Sequence, residues 1–374
     1  MEPAEPSLPT ILREWGRIGC AGFGGPPTHI ALFRELCVDR RRWLDAPEFE
    51  DAIAACNLLP GPASTQLAIY CAWRLRGAAG ALVGGLAFIL PGLVLILALA
   101  AVFLAGSPPS WIRGAAAGAG AGVAAVAVQA GLALMPASRA RARSQLRWLV
   151  YAALGGAAAA TIGPWLVLVL LGCGIAEVAL RSTWSLVALP LFAAPTGGLG
   201  ALAWVAFKVG ALSYGGGFVI VPLMQADAVH RNHWLTNSQF LDAVALGQVT
   251  PGPVVHTVAA VGYAAAGVGG GLLAAAIAFS PSFAFVLLGG RSFDTLRRNA
   301  HARAFLDGAG PAAIGAILGS AIPLASALGF WWQYVLLGVA AVAVLALRRG
   351  VVMTLVGLGA VGAVLAATHV VTIS

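Results

Sequence analysis

Apolar and polar positions in this chain alternate in whole segments rather than residue by residue. Mostly apolar runs predict helices over 10–36, 51–73, 78–104, 112–135, 148–162 and 164–180, and again over 201–226, 241–266, 271–288, 305–324, 331–347 and 351–371. Several are long enough to cross about 30 Å of hydrocarbon at about 1.5 Å per helical residue. Four of the twelve are interrupted. Glycine-rich breaks fall at Gly24-Gly25 in 10–36 and at Gly215-Gly216 in 201–226, and Pro-Gly-Pro interrupts both 51–73 and 241–266. In the first of these last two, about 12 Å of helix precedes the break and about 18 Å follows it. Neither piece spans a bilayer alone, so the segment either crosses as a discontinuous helix or enters and leaves on one side.

The interruptions recur at a constant offset of 191. Asn57-Leu58-Leu59-Pro60-Gly61-Pro62 falls on Gln248-Val249-Thr250-Pro251-Gly252-Pro253, Gly19 on Gly210, Trp43-Leu44 on Trp234-Leu235, and Asp51 on Asp242. Without a gap the register continues to Gly80 on Gly271 and Phe88 on Phe279. Such self-similarity predicts two copies of one structural unit, residues 1–185 and 201–374 joined by a linker over 186–200.

Composition sets the class. The chain is 60% hydrophobic and 10% charged, with 48 glycines and 21 prolines, and its mean hydropathy is +0.88. A soluble domain carries about 25% charged residues. The expectation is an all-α polytopic membrane protein with little soluble mass. Residues 1–9 are acidic and proline-rich, unlike a signal peptide. The net charge of +8 does not point to nucleic acid, because the arginines sit in short clusters between apolar runs, as topology determinants do. Cys20, Cys37, Cys56, Cys71 and Cys173 have no metal spacing and read as packing residues. Nothing has the spacing of a catalytic triad or a phosphate-binding loop, so no enzyme, metal or cofactor is expected.

The charges also predict topology. If both Pro-Gly-Pro segments are re-entrant and every other segment crosses, sixteen of the 22 basic residues fall on one face. They are Arg40 to Arg42, Arg74, Arg76, Arg139, Arg141, Arg143, Arg147, Arg181, Arg291, Arg297, Arg298, Arg303, Arg348 and Arg349. Twelve full crossings would scatter them. The positive-inside rule therefore favours five crossings and one re-entrant hairpin per half, with both termini outside. Five is odd, so the halves insert as inverted-topology repeats, the plan of secondary transporters.

Each break is either a packing kink or an anion site. In the second reading Pro62 and Pro253 begin helices, and the amides of Ala63, Ser64 and Thr65, and of Val254, Val255 and His256, stand free at positive helix ends. Asn57, Ser64, Thr65, Gln248, Thr250 and His256 add side-chain donors, beside the turns Pro60-Gly61 and Pro251-Gly252. Arg17 and Lys208 are repeat equivalents that either pair across the pseudo-two-fold axis around a dianion or snorkel to the headgroups. His29, after Gly24-Gly25, either reaches the same region or caps a turn. Asp51 and Asp242 read as helix-start carboxylates or ion-coupling groups, and Arg34, Glu35, Glu48 and Asp227 as interface residues. Gly114 and Gly118, one helical turn apart, offer a close-packing face for a homodimer.

At these residues the chain resembles the chromate ion transporter family in its long, two-domain form. The first half carries F-G-G-P-P-T-H at 23–29, R-R-R-W-L at 40–44 and L-P-G-P-A-S at 59–64. The second carries K-V-G at 208–210, Q-A-D at 225–227, W-L-T at 234–236 and G-Q-V-T-P-G-P-V at 247–254. Ser213-Tyr214-Gly215-Gly216-Gly217 departs from the Phe-Gly-Ser-Gly usual there. The resemblance implies a multi-pass protein of the bacterial inner membrane that exports chromate, with sulfate as the isosteric competitor. The competing readings are a carrier of sulfate or another oxyanion, an anion channel built on paired re-entrant hairpins, and a membrane scaffold.

Overall fold

Prolines and glycines decide where the helices begin. In the computed structural model, which describes residues 6–56, 61–104, 108–161, 166–181, 197–213, 218–289 and 299–371, the chain is all-α. Ser7 caps α1 (Leu8–Ala21) through its hydroxyl, and Gly25, at φ +75°, precedes Pro26-Pro27 at the start of α2 (Pro26–Arg34). A π-helical turn, Glu35–Arg40, extends α2. After α3 (Ala46–Cys56), Pro62 caps α4 (Ala63–Phe103). There follow α5 (Ser110–Ala121), α6 (Val123–Arg141), α7 (Gln145–Thr161) and α8 (Leu166–Arg181).

The remaining elements are α9 (Gly198–Leu212), α10 (Ile220–Gln225) with the π-turn Ala226–Arg231, and α11 (Asn237–Val249), which opens on a Thr236/Gln239 capping box. After a 3-10 turn at Val254–His256 come α12 (Thr257–Gly289), α13 (Ala300–Ser326), α14 (Trp331–Ala341) and α15 (Val351–Ala367). Among the described residues four stretches are long and apolar enough to cross a membrane: Ala63–Phe103, Ser110–Arg141, Val254–Gly289 and Ala300–Ser326.

Two of these four are not single rods. The backbone of α4 turns at Arg76 and Gly77 (φ +58°), and that of α12 at Ala266 and Gly267 (φ +63°). In a straight helix Ala72 and Gly80 would be about 12 Å apart, yet a side chain on Gly80 would overlap the Ala72 carbonyl, and one on Gly85 would lie 2.9 Å from Ile69. Each helix is therefore a short arm (63–75; 254–265) folded against a long one (78–103; 268–289). The long arms, about 39 and 33 Å, suffice to cross; the short arms, below about 20 Å, do not. Glu48 near the start of α3 pairs with Arg74 at the end of the short arm of α4, so α3 and that arm lie side by side in opposite directions.

Local geometry recurs 191 residues apart. The π-turns match, with Arg41 N–H donating to Leu36 O and Asn232 N–H to Asp227 O, both at 3.0 Å. Arg42 and His233, both left-handed at φ +51° and +52°, place Trp43 and Trp234 alike. Beyond the tips the register slips. The kinks at Gly77 and Gly267 are 190 apart, and Gly80 corresponds to Gly270 rather than Gly271, because the second short arm is one residue shorter.

Three expectations fail. Residues 10–36 do not run through as one broken crossing: the Trp15 and Phe33 rings lie 5.4 Å apart and Arg41 reaches Glu14 at 2.8 Å, so α2 doubles back along α1. Trp15, with Ile11 and Ile18, is the buried side of α1 and anchors that return. Asp51 and Asp242 sit inside α3 and α11, which begin at Ala46 and Asn237. Gly114 and Gly118 do not face a second copy, since side chains there would overlap the backbone oxygens of Gly362 and Leu358 on α15.

That contact belongs to a wider exchange. The helices α7 and α8 pack on α13 from the other half of the chain, and α5 packs on α15. At one end, Glu177 of α8 holds Arg147 and Arg181, and Arg181 also holds Asp307 of α13 at 2.9 Å. Gly118→Leu should therefore separate α5 from α15 and abolish recovery of monodisperse protein in detergent, whereas Gly357→Leu, in open space on α15, should be recovered as wild type by size-exclusion chromatography.

Candidate functional site

Both Pro-Gly-Pro tips end in the interior against the opposite half. Gly252, at φ +89°, donates its N–H to the Gly22 carbonyl at 2.9 Å, and Gly61, at φ +120°, lies against the Gly210 carbonyl. Beside the second tip is a cavity of about 410 Å³. Of the residues predicted from sequence, Gly24, Gly25, Ala63, Gln248, Thr250, Gly252 and Val254 line it. Asn57, Pro60, Gly215 and Gly216 lie outside the described residues.

Four helix starts meet the cavity: α2 at Gly25 and Pro26, α4 at Ala63, the 3-10 turn at Val254, and α15 at Val351 and Val352. Among the described residues no charged side chain lines it. A helix N-terminus is electropositive, although at α2 the first two positions are prolines and offer no N–H. Gln248 is buried, and its side-chain amide nitrogen has no hydrogen-bond partner among the described residues.

Several predicted donors have other duties. Thr65 and Gln66 N–H both bond to Pro62 O at 3.0 Å and His256 N–H to Pro253 O at 2.9 Å, so only the first two amides of each start (Ala63 and Ser64, Val254 and Val255) precede the helical bonding. Pro62 and Pro253 are the caps before these turns rather than their first residues. The Thr250 hydroxyl donates to Leu246 O at 2.9 Å. His29 is a strut: its Nε2 faces the Gly22 carbonyl at 2.9 Å and so carries the proton, which leaves Nδ1 to accept from the Ser64 hydroxyl at 3.2 Å. His256 is fully buried, edge-on to Phe279 and against Gly92, and Pro251 turns its carbonyl to the same Gly92.

The two cations do not meet at the cavity. Arg17 is exposed, two residues from buried Trp15 and thus about 200° around the helix from it. Lys208 is buried and paired with Asp227, which is 1% exposed and not an interface residue as predicted. The pairing is possible because α10 and its π-turn return along α9. Sequence reasoning missed Gln129, a half-buried amide on the cavity wall. Its signal was available, as the sole amide in the apolar run 112–135.

Crossing-length apolar helices around an internal cavity of this kind make the chain a multi-pass membrane protein of the secondary-transporter class. It belongs to the chromate transporter family, whose model matches residues 9–178 and 200–364. It is 32% identical over 328 residues to a chromate transport protein of Cupriavidus metallidurans, covering 83% of this chain and 80% of that one. It is 30% identical over 335 residues to a probable chromate transport protein of Synechococcus elongatus, covering 85% and 84%. A chromate transport protein of Pseudomonas aeruginosa is 30% identical over 354 residues, covering 86% and 82%. No solved structure matches.

The geometry reverses one simple expectation about the cations. Lys208→Ala leaves the buried Asp227 with only the longer Arg231 contact at 3.9 Å and should destabilise the protein by about 3 kcal/mol, whereas Arg17→Ala should leave oxyanion transport and the thermal unfolding midpoint near wild type. Joint replacement by Lys208→Met and Asp227→Leu should recover most of the midpoint lost in Lys208→Ala, read by thermal unfolding in detergent.

Proposed function

We propose that this protein carries chromate, as a tetrahedral dianion, outward across the bacterial inner membrane by alternating access. The observation that carries the reading is the convergence of four helix N-termini and the buried Gln248 amide on one uncharged cavity. An oxyanion there exchanges water for oriented N–H dipoles, which hold charge without a counter-ion to be displaced at release. Sulfate has the same shape and charge, so it is the expected competitor. Residues 1–185 and 201–374 act as inverted halves joined over 186–200, and each Pro-Gly-Pro hairpin is re-entrant.

Chain direction supports the inversion. The long arm 78–103 starts at the end where Arg74 meets Glu48, and the next crossings bring Arg147 and Arg181 back to that end. Asp307, bound to Arg181, puts the start of α13 there too, so the arm 268–289 runs in the opposite sense. The cavity reaches Val351, two residues beyond Arg348-Arg349, so it opens toward the basic face, which the positive-inside rule makes cytoplasmic.

On this reading the two termini lie on opposite faces rather than both outside. Trp15 meets Gly84 and Gly19 meets Phe88, so α1 runs parallel to the arm 78–103 and begins at the basic face. The helix α15 begins there and ends opposite. In a cysteine-free background, Ser7→Cys and Arg143→Cys should react with an impermeant maleimide from one side, and Thr368→Cys from the other.

Export of a dianion from a negative interior is favoured by about 4.6 kcal/mol per 100 mV, at about 2.3 per charge. Chromate flux into proteoliposomes should therefore saturate, follow an imposed potential and be inhibited by sulfate. Gln248→Leu should raise the half-saturation concentration about tenfold or more, the worth of one hydrogen bond to an ion. Flux that ignores Gln248→Leu and never saturates would sink the central-site reading.

A further inference from the structure

The two Pro-Gly-Pro tips are set into their surroundings differently, and the difference lies at two pairs of equivalent positions. Gly22 corresponds to Ser213 at the offset of 191. Gly92 corresponds to Ser282 at the offset of 190 that holds in the long arms, each one residue after a helical proline, Pro91 and Pro281. At the second tip both partners are glycines and the backbones close directly. Gly252 N–H donates to Gly22 O at 2.9 Å, and a side chain on Gly92 would overlap Pro251 O and crowd His256.

At the first tip both equivalent positions are serines. The Ser282 hydroxyl lies 3.4 Å from where a Cβ on Gly61 would stand, beside the Gly210 carbonyl at 3.3 Å. Ser213 caps α9 one turn beyond Gly210. Both serines are 0% exposed, and neither hydroxyl has a hydrogen-bond partner among the described residues. Thr65, in the first turn after the same tip, is also fully buried with an unpartnered hydroxyl.

Helical serines ordinarily return their proton to a carbonyl one turn back, and others in this chain do so. Ser280 bonds to Ile277 O at 2.8 Å, Ser320 to Ile317 O at 2.7 Å and Ser326 to Pro323 O at 3.0 Å. Ser282, two residues from Ser280 on the same helix, does not. Buried unsatisfied hydroxyls are unfavourable unless something polar completes them. The start of α4 is electropositive, and the acidic Asp227 on the neighbouring π-turn is held by Lys208. Donors at a positive helix end select an oxyanion.

We propose that Ser213 and Ser282, with Thr65, form a second oxyanion-coordinating subsite at the Gly61 tip, one that binds the same tetrahedral dianion. This rests on the reading that the chain carries such an ion. The subsite lies on the opposite tip from Gln248, so an ion leaving the Gln248 cavity is passed to hydroxyl donors without rehydration. The first tip is the adaptable member of the pair, and the second, closed by glycine, is the fixed one.

The test uses the full-length protein in proteoliposomes, with Ser213→Ala, Ser282→Ala and the double variant. Chromate half-saturation, sulfate inhibition and the chromate-induced rise in thermal unfolding midpoint are read on each. The expected result is about a tenfold rise in half-saturation for each single variant and loss of the chromate-induced thermal shift in the double. The midpoint without ligand should be unchanged or higher, because a buried unsatisfied group has been removed. Wild-type half-saturation, inhibition and thermal shift in the double variant would overturn the subsite. A sodium-dependent flux that disappears with the serines would overturn it equally, since the hydroxyls would then be cation ligands. Should the wild-type protein neither transport nor be stabilised by chromate or sulfate, the oxyanion reading itself fails and the subsite with it; Ser213→Ala and Ser282→Ala that alter an otherwise normal wild-type flux separate the two cases.

Discussion

A peptide group left unpaired away from water costs several kcal/mol, and a helix that stops in a protein interior leaves several. Each Pro-Gly-Pro tip is met by another part of the same chain. Gly252 finds the Gly22 carbonyl, and Gly61 faces Gly210. Each partner comes from the opposite half, so neither half completes its own interior. The packing of α7 and α8 on α13, and of α5 on α15, extends the same dependence to the periphery.

That dependence shapes the electrostatics. A transport site must bind an ion and also release it, and a fixed unpaired charge would favour binding alone. Here Lys208 is neutralised by Asp227, Glu14 by Arg41, and Glu177 by Arg147 and Arg181. What remains polar at the cavity is uncharged: the Gln129 and Gln248 amides and helix starts with partial charges, begun at Pro62, Pro253 and Gly25. His29 reinforces this arrangement from behind, joining Gly22 to Ser64 and so fixing the start of α4 relative to the end of α1.

Much of the architecture was legible in the sequence because it is written in residues with backbone consequences. Proline and glycine act on the chain that contains them, so both tips, the break at Gly24-Gly25 and the recurrence at 191 could be read before any contact was known. Long apolar runs likewise announce membrane helices, since hydrocarbon tolerates little else. The glycine kinks at Gly77 and Gly267 were less visible: one residue lost from the second short arm displaced the register, and identical-looking glycines at 80 and 271 masked it.

Side-chain partners were not legible. Lys208 and Arg17 are equivalent in sequence, yet one is buried against Asp227 and the other is exposed. The residue facing each depends on how α2 and α10 fold back, and no local signal encodes that return. The Gly114-Gly118 stripe shows the same limit, because a close-packing face does not name its partner. The sequence by itself determined where the backbone must break and that a membrane surrounds it, because these follow from local sterics and from solvation. Only the tertiary structure decided which broken ends meet, which charges cancel and which donors stay available, because those depend on the few ångströms between segments far apart in the chain.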